Sequence, residues 1–273
     1  MPKRKVGDIK IYYEFHGNGE PLVLIRGLGG SAAMWFRQIP ELAKCYRVIA
    51  LDNRGSGRSD KPDIPYTIEM MAGDVMGLLD AIGIEKAHIY GFAMGGMIAQ
   101  SFALSYPDRM LGLVLACTSC GGERAIMPNT EALAALYDIK RRAQSSPEEI
   151  SRKEIPFCFT KDFIDNNPEI IKQYISLEVK HWTPFHSYMR QLEAVMTHDT
   201  YARLHKITSP ALVIAAALDR AQPLANSVIL AAKIPNAELA IIQKAGHDIT
   251  VERVQDTNRT IINFLRRHPT SVS

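Results

Sequence analysis

Apolar residues follow two patterns that alternate along most of this chain. Short, continuous apolar runs are typical of strands buried on both faces, and between them apolar residues recur at helical spacing. The runs are "PLVLI", "YRVIALD", "AHIYGF" and "MLGLVLACT", and helical spacing starts near Thr67 and again at Met94. The alternation predicts an α/β fold, with a mostly parallel central sheet flanked by helices.

The alternation stops near Gly121 and Gly122. Residues 123–203 carry helical patterns and no good strand, and the strand pattern then resumes in "ALVIAAALD" and "AELAIIQ". We expect helices near 224–233 and 251–267 beside these two strands. The predicted organisation is a core domain of residues 1–122 and 204–273, with residues 123–203 inserted late in the sheet as a helical cap.

The segment "IYGFAMGG", residues 89–96, runs from an apolar strand through a glycine-flanked turn into a helix. This arrangement matches the G-x-S-x-G nucleophile elbow, in which a serine stands at the apex of a sharp strand-to-helix turn. Ala93 occupies the apex in this chain, so the predicted elbow lacks the hydroxyl group.

Two chemically capable residues directly follow predicted strands. Asp219 ends "ALVIAAALD", and His247 lies in "KAGHDIT", just past "AELAIIQ". Ligands in open α/β sheets bind at the carboxyl ends of strands, and the order elbow, acid, histidine is that of a Ser-His-Asp triad on such a sheet. The glycine-rich loop in "RGLGGSAAMW" offers amides to a developing oxyanion, together with the amide of Met94.

These segments, with "VIALDNRGSGRSDKP" and "AGHDITVERVQDTNRTIINFL", resemble α/β-hydrolase-fold enzymes of the esterase, enol-lactonase and perhydrolase-like group. The resemblance covers nearly the whole chain and implies a serine hydrolase with a helical cap that uses no metal or organic cofactor. It implies that His247 is the general base, that Asp219 orients it, and that the amides of Leu28 and Met94 form the oxyanion hole. The other common position for the acid, after the preceding strand, reads "ACTS" and offers no carboxylate.

The chain departs from this group at Arg26, because the family often has histidine before the glycine at position 27. Arg26 either contacts a substrate carboxylate or only fastens the loop, and we favour the fastening role. In the cap, His181 and four further residues are candidates for lining the substrate cavity, with packing as the alternative role: Trp182, Phe185, His186 and Tyr188.

Ala93 leaves two hypotheses open. Alanine fits the strained turn almost as well as serine, and the base, the acid and the amide donors that serve a nucleophile are all still present. We favour a Ser→Ala replacement in a hydrolase of small carboxylic esters or lactones. The alternative is a natural non-catalytic member that binds a small ligand. A C–C bond hydrolase, a perhydrolase, an epoxide hydrolase and a haloalkane dehalogenase remain possible on the same scaffold.

A dinucleotide-binding oxidoreductase is the main interpretation from another class. Gly27, Gly29 and Ala32 follow a strand at the spacing of a nucleotide-binding loop, and Asp52 ends the next strand at a plausible distance for a ribose contact. However, a strand-rich segment precedes this motif, and the elbow, Asp219 and His247 would have no explanation. We therefore treat NAD(P) as the weaker alternative.

The composition is that of an ordinary globular enzyme. Of 273 residues, 47% are hydrophobic and 22% charged, the net charge is +3, and the basic residues are scattered. We therefore expect a small-molecule substrate, with no nucleic-acid or membrane partner. The N-terminal residues show no signal-peptide pattern and we interpret the four cysteines as free thiols, so we expect a cytoplasmic protein. No His/Cys/Asp spacing suggests a metal site. We expect a monomer or a homodimer.

Overall fold

The structure is a computed structural model that describes residues 2–269. Eight strands among these residues form one sheet in the order β1-β2-β4-β3-β5-β6-β7-β8. The strands are β1 Lys3–Val6, β2 Ile9–His16, β3 Glu20–Ile25, β4 Tyr46–Leu51, β5 Ala87–Phe92, β6 Met110–Ala116, β7 Ala211–Ala216 and β8 Ala237–Ile242. The β1–β2 and β2–β4 pairs are antiparallel, and every pairing from β4 to β8 is parallel. The predicted mostly parallel sheet is confirmed.

Twelve α-helical segments accompany the sheet within the described residues. They are α1 Ile39–Leu42, α2 Ile68–Ala81, α3 Met94–Ser105, α4 Thr130–Leu136, α5 Ile139–Gln144, α6 Pro147–Cys158, α7 Lys161–Asn166, α8 Pro168–Lys180, α9 Phe185–Thr197, α10 Leu224–Lys233, α11 Ile249–Glu252 and α12 Val254–Leu265. Within residues 2–269, no helix combines the length and apolarity that a bilayer crossing requires.

The sheet is buried on both faces because successive side chains of a strand point to opposite sides. In β3, Val23 and Ile25 join a core with helices α2, α3 and α10, whereas Leu22 and Leu24 join a second core with Trp35 and helix α12. All four β3 side chains are at most 1% exposed. The continuous apolar runs of the sequence are thus explained by two cores that share one sheet.

Several helix boundaries follow local signals in the sequence. The Thr67 hydroxyl accepts a hydrogen bond from the amide of Met70 at 3.0 Å and caps α2. The prediction of a single last helix over 251–267 is wrong, because α11 and α12 are separated at Arg253. The backbone leaves the helical conformation at Arg253, with φ −118° and ψ 45°. The Glu252 carboxylate, just before the break, accepts from the amide of Gly246 at 2.9 Å and from the hydroxyl of Thr160, which ties α11 to the cap.

The segment between β6 and β7 folds into helices α4–α9. All six lie within the range 123–203 that we predicted for the cap, and α6 packs against both α4 and α8. Phe159, Phe163 and Tyr174 form the centre of a separate apolar cluster, with Phe159–Tyr174 ring centroids 5.0 Å apart. Met34 and Val251 of the core domain complete this cluster, so apolar packing joins the cap to the sheet domain.

Gln191 of α9 provides a polar link between the cap and the sheet domain. Its side-chain oxygen accepts from the amide of Gly29 at 2.8 Å. Its amide nitrogen donates to the carbonyl of Arg54 at 2.7 Å and to the Ser56 hydroxyl at 2.9 Å. Because Gln191 is fully buried, water cannot reach its hydrogen-bond partners and take the place of its side chain. The loop after β3 is therefore fastened to the cap.

We predict that Gln191→Leu lowers the free energy of unfolding by about 3 kcal/mol, because it leaves buried backbone groups without hydrogen-bond partners. Urea denaturation followed by circular dichroism measures the change. The control is Gln173→Leu on the exposed side of α8, which should stay within about 0.5 kcal/mol of the parent. Equal stability of the two variants would contradict the structural role assigned to Gln191.

Candidate active site

The turn between β5 and α3 has the backbone of a nucleophile elbow. Ala93 has φ 52° and ψ −119°, a conformation that costs a non-glycine residue on the order of 1–3 kcal/mol. Its amide donates to the carbonyl of Ala116 at 3.0 Å, and its carbonyl accepts from the Thr118 hydroxyl at 2.7 Å. The strained turn is thus held from the neighbouring strand β6, although no hydroxyl group stands at its apex.

Two glycines allow the elbow to form because α3 passes very close to the sheet. A Cβ atom on Gly95 would lie 2.0 Å from the carbonyl oxygen of Ile25, and one on Gly91 would lie 2.1 Å from the carbonyl oxygen of Gly95. Neither position tolerates a side chain. The glycines of "GFAMGG" therefore serve close packing, as the elbow motif requires.

Asp219 and His247 form a hydrogen-bonded pair in the loops after β7 and β8. Imidazole Nδ1 lies 2.8 Å from Asp219 Oδ2, and Asp219 Oδ1 accepts from the amides of Ala221 and Gln222 at 2.8 and 2.7 Å. An ionised carboxylate only accepts, so Nδ1 carries the proton and Nε2 is free to accept one. The Phe92 ring packs on the imidazole at 4.8 Å between centroids, which fixes the plane of the ring.

A cavity of about 140 Å³ brings the predicted groups together. Ala93, His247, Leu28 and Met94 all line it. Among the described residues, no acceptor is bonded to the amides of Leu28 or Met94. The amide of Met94 is also the first of helix α3, where the helix dipole favours negative charge. The cavity therefore offers a base and two amide donors beside the elbow apex.

Cys117, which directly follows β6, lies close to Asp219 and His247. Its sulfur and the ligating atoms of those two residues are all within 4.8 Å of one another. The sequence did not reveal this group, because its members come from three separate strand ends. Burial and the neighbouring Asp219 carboxylate raise the pKa of the Cys117 thiol well above its usual value. A metal ion would need the thiolate, and both Asp219 oxygens already accept hydrogen bonds. The donor set therefore fits the His–Asp pair better than a metal ion.

Arg26 lies in the wall of the same cavity and is held by an ion pair. Its guanidinium donates to the carboxylate of Asp248 and to the Thr250 hydroxyl, the latter at 2.8 Å. It also stacks on the rings of Trp35 and Phe92, at 5.1 and 4.5 Å from the centroids. With its charge already neutralised and only 3% of the residue exposed, Arg26 has the geometry of a residue that fastens the loop.

Of the cap residues proposed to line the cavity, only Tyr188 does so. It is buried in the wall, whereas the others lie outside: His181, Trp182, Phe185 and His186. Trp182 instead packs on the Arg142 guanidinium at 4.9 Å. Phe185 is 39% exposed in the first turn of α9, and the exposed His186 reaches the carbonyl of Lys61 at 3.3 Å. His186, two positions before Tyr188, lies on a different face of α9, and Phe185, one turn before Tyr188, lies at the exposed N-terminal end of the helix.

Polar cap residues that the sequence analysis missed complete the wall. Those are Tyr137, Arg142, Glu154, Tyr174 and Glu178. These residues lie on or beside four different helices and share no motif. In the sequence, the charged ones are spaced like residues on the solvent-facing side of an amphipathic helix. Only the packing of α6 against α8 reveals that they share a cavity.

Asp52 does not have the environment of a nucleotide-binding residue. It is fully buried, and its carboxylate accepts from the amides of Ala32 and Arg58 at 2.6 and 2.7 Å. The glycine-rich loop also leads into one short 3₁₀ turn, Ala32–Trp35, and not into the long helix that would hold a pyrophosphate. These contacts make Asp52 a scaffold residue and contradict the dinucleotide-binding alternative.

Comparison with known proteins agrees with this architecture. Residues 20–156 match the family model described as the alpha/beta hydrolase fold. A relative in Azorhizobium caulinodans, described as the carbamate hydrolase RutD, is 32% identical over 97% of this chain and 98% of its own length. The solved enol-lactonase of Burkholderia xenovorans LB400 superimposes with a TM-score of 0.87 at 29% identity, over 97% of this chain and 100% of its own.

The solved thermophilic esterase of Thermogutta terrifontis also reaches a TM-score of 0.87, at 27% identity, and the match covers 99% of this chain and 100% of the esterase. The matches therefore extend over the sheet and the helices between β6 and β7 alike, and the relatives named here are hydrolases. The chain belongs to the α/β-hydrolase fold family.

Proposed function

We propose that this site is built for acyl transfer from a small carboxylic ester or lactone, and that this chain binds such a molecule without cleaving it. The observation that carries the proposal is the shared cavity, which is lined by the elbow apex Ala93, by His247 with Asp219 bonded behind it, and by Leu28 and Met94.

With serine at position 93, each group has a defined task. Nε2 of His247 takes the proton of the serine hydroxyl as the oxygen attacks the substrate carbonyl. The carbonyl oxygen becomes negative and accepts hydrogen bonds from the amides of Leu28 and Met94. His247 then gives its proton to the leaving alcohol, and a water molecule, activated by the same imidazole, releases the acid. Asp219 holds the imidazole in the required tautomer throughout.

With alanine at position 93, the cavity keeps its binding groups but loses the attacking atom. A methyl group cannot form the acyl intermediate, so a bound ester remains intact. Loss of a triad nucleophile lowers kcat on the order of 10⁶-fold in serine proteases. Binding depends on the walls and the amides, which are unchanged by the missing oxygen.

The proposed substrate class rests on the cavity and on the relatives. A cavity of about 140 Å³ between the cap and the strand ends suits a small molecule and not a folded polypeptide. An enol-lactonase, an esterase and a protein described as a carbamate hydrolase are among the relatives. Lactones, esters and carbamates share an attackable carbonyl that passes through a tetrahedral oxyanion, which the two amides would stabilise.

The second candidate function is a non-catalytic member of the family that captures a small ligand. Ala93 itself favours this candidate, because the chain lacks a nucleophile at the elbow. The two candidates make the same prediction for binding and opposite predictions for the serine variant.

We predict that Ala93→Ser produces cleavage of an activated short-chain ester such as p-nitrophenyl acetate, several orders of magnitude faster than this chain. The hydroxyl would stand on a turn that already has the elbow conformation. Release of p-nitrophenol, followed by its absorbance, measures the rate. The matched control is Ala93→Ser combined with His247→Gln, which should return the rate to that of this chain. A folded Ala93→Ser protein without activity on esters and lactones would reject the hydrolytic proposal and favour ligand capture.

We predict that Asp219→Asn in the Ala93→Ser background lowers kcat about 10⁴-fold while KM changes little, because an amide no longer enforces the Nδ1–H tautomer. Steady-state kinetics measures both constants. Cys117→Ala in the same background serves as the comparison, since the neutral thiol has no assigned step, and it should retain most of the activity. Nearly full kcat in the Asp219→Asn enzyme would remove Asp219 from the mechanism.

A further inference from the structure

The cap wall of the cavity contains a buried charged group that the hydrolytic mechanism does not use. Arg142 Nη2 donates to Glu154 Oε1 at 2.8 Å, and only 8% and 14% of these two side chains are exposed. The Arg142 guanidinium also lies on the face of the Tyr188 ring, 3.7 Å from its centroid. Arg142 is therefore occupied by a carboxylate and an aromatic ring.

Glu178 lies in the same wall and has no cation of its own. Its Oε2 atom accepts from the Ser151 hydroxyl. Within residues 2–269, no lysine, arginine or histidine nitrogen lies within 4.0 Å of its carboxylate. The wall thus carries two carboxylates, Glu154 and Glu178, and one closely paired guanidinium.

The other charges that line the cavity are paired separately. Arg26 is paired with Asp248, and His247 is bonded to Asp219. Arg141 approaches Glu154 only to 4.0 Å and donates to the carbonyl of Ala135. Two arginines thus balance the two glutamates in charge, but both lie beside Glu154, so Glu178 has no cation in direct contact, and a buried carboxylate without a close partner is strongly unfavourable.

Glu154 and Glu178 accordingly bind protons more tightly than exposed glutamates do. Burial raises the pKa of Glu154 to about 7, against the lowering effect of Arg142 and with a further raising effect of Glu178. Burial also raises the pKa of Glu178. Burial thus favours the protonated form of each carboxyl group, and a positively charged group of a ligand could take the place of the proton.

We propose that Glu154 and Glu178 recognise a cationic nitrogen on the substrate, so that the ester this cavity takes is an amino ester. The inference rests on the proposed function, because that function places the ester carbonyl at the amides of Leu28 and Met94. An ammonium group would supply the cation that Glu178 lacks and donate to its free oxygen. A carboxylate at the same place would put a second negative charge beside Glu178, and an alkyl group would leave Glu178 without a cation.

The direction of the pH dependence follows from the groups that face Glu154 and Glu178. Arg141 and Arg142 are the guanidinium groups beside Glu154. Burial raises the pKa values of Tyr137, Tyr174, Tyr188 and Cys158, which keeps them neutral near pH 7. A cation binds the deprotonated wall and releases a proton. Affinity for it should therefore rise as the pH rises through about 7, the pKa of Glu154, and fall below that value. His247 faces the same cavity, so variants of the glutamates are needed to separate its contribution.

The test uses this chain unchanged, because Ala93 lets an ester bind without cleavage. Three small esters of similar size are titrated by calorimetry at about pH 8: the ethyl ester of γ-aminobutyric acid, ethyl valerate and monoethyl succinate. We expect the amino ester to bind at least about tenfold more tightly than ethyl valerate, as for a hydrogen bond between charged groups, and monoethyl succinate to bind most weakly. Titration in two buffers of different ionisation enthalpy should show proton release with the amino ester only, most clearly near pH 7.

Glu178→Gln and Glu154→Gln should each reduce the ratio of amino-ester affinity to ethyl-valerate affinity to a few-fold or less. The pH dependence of binding that remains in these variants belongs to His247. The control is Glu169→Gln, which removes an exposed glutamate from the first turn of α8 and should leave the preference unchanged. Should one variant fail to fold, the other still separates the glutamates from His247, and the order of affinities of the three esters for the parent chain tests the inference directly.

Two outcomes separate this inference from the proposed function. If the esters bind with equal affinity, or monoethyl succinate binds best, the amino-ester inference is rejected while the ester site stands. If none of the three binds to the folded chain, and Ala93→Ser does not cleave esters, both are rejected.

Discussion

The close approach of helix α3 to the sheet is the constraint on which the rest of the site depends. Gly91 and Gly95 let the helix begin immediately beside β3 and β5, with room for no side chain at either position. The chain must therefore reverse at residue 93 with φ 52°, and the first amide of α3 is turned toward the carboxyl edge of the sheet. Substitution of the apex residue leaves this geometry intact, because the packing that causes it lies in the flanking glycines.

The Asp219–His247 pair is positioned by strands of the sheet, and the opposite wall of the cavity by helices that pack on the sheet domain. Asp219 and His247 follow adjacent strands, β7 and β8, so their loops meet at the same edge of the sheet. The wall opposite them comes from the cap, which apolar packing around Met34 and Val251 and the buried Gln191 hold in place. A difference in cap side chains can therefore change which molecule is bound without changing the catalytic geometry.

The parts of the structure that follow local rules could be predicted well. Helices α3 and α10 have the bounds expected from the apolar spacing, and Asp219 and His247 meet as the order of motifs implied. The last helix was predicted as a single segment because its apolar spacing continues past Arg253. The break at Arg253 lies beside Glu252, whose partners Thr160 and Gly246 lie outside that segment. A contact between distant segments leaves no periodic signal in either of them.

The sequence by itself determined the sheet, the elbow turn and the residues that converge at its edge, because strand burial, glycine spacing and chain order are local properties. Only the tertiary structure decided which cap residues face the cavity, since that depends on how α5, α6 and α8 pack. It excluded Phe185 and His186, brought in Glu154 and Glu178, and paired Arg26 with Asp248. Whether a charged side chain is solvated or buried against another charge is a property of that packing, and burial is what alters its proton affinity.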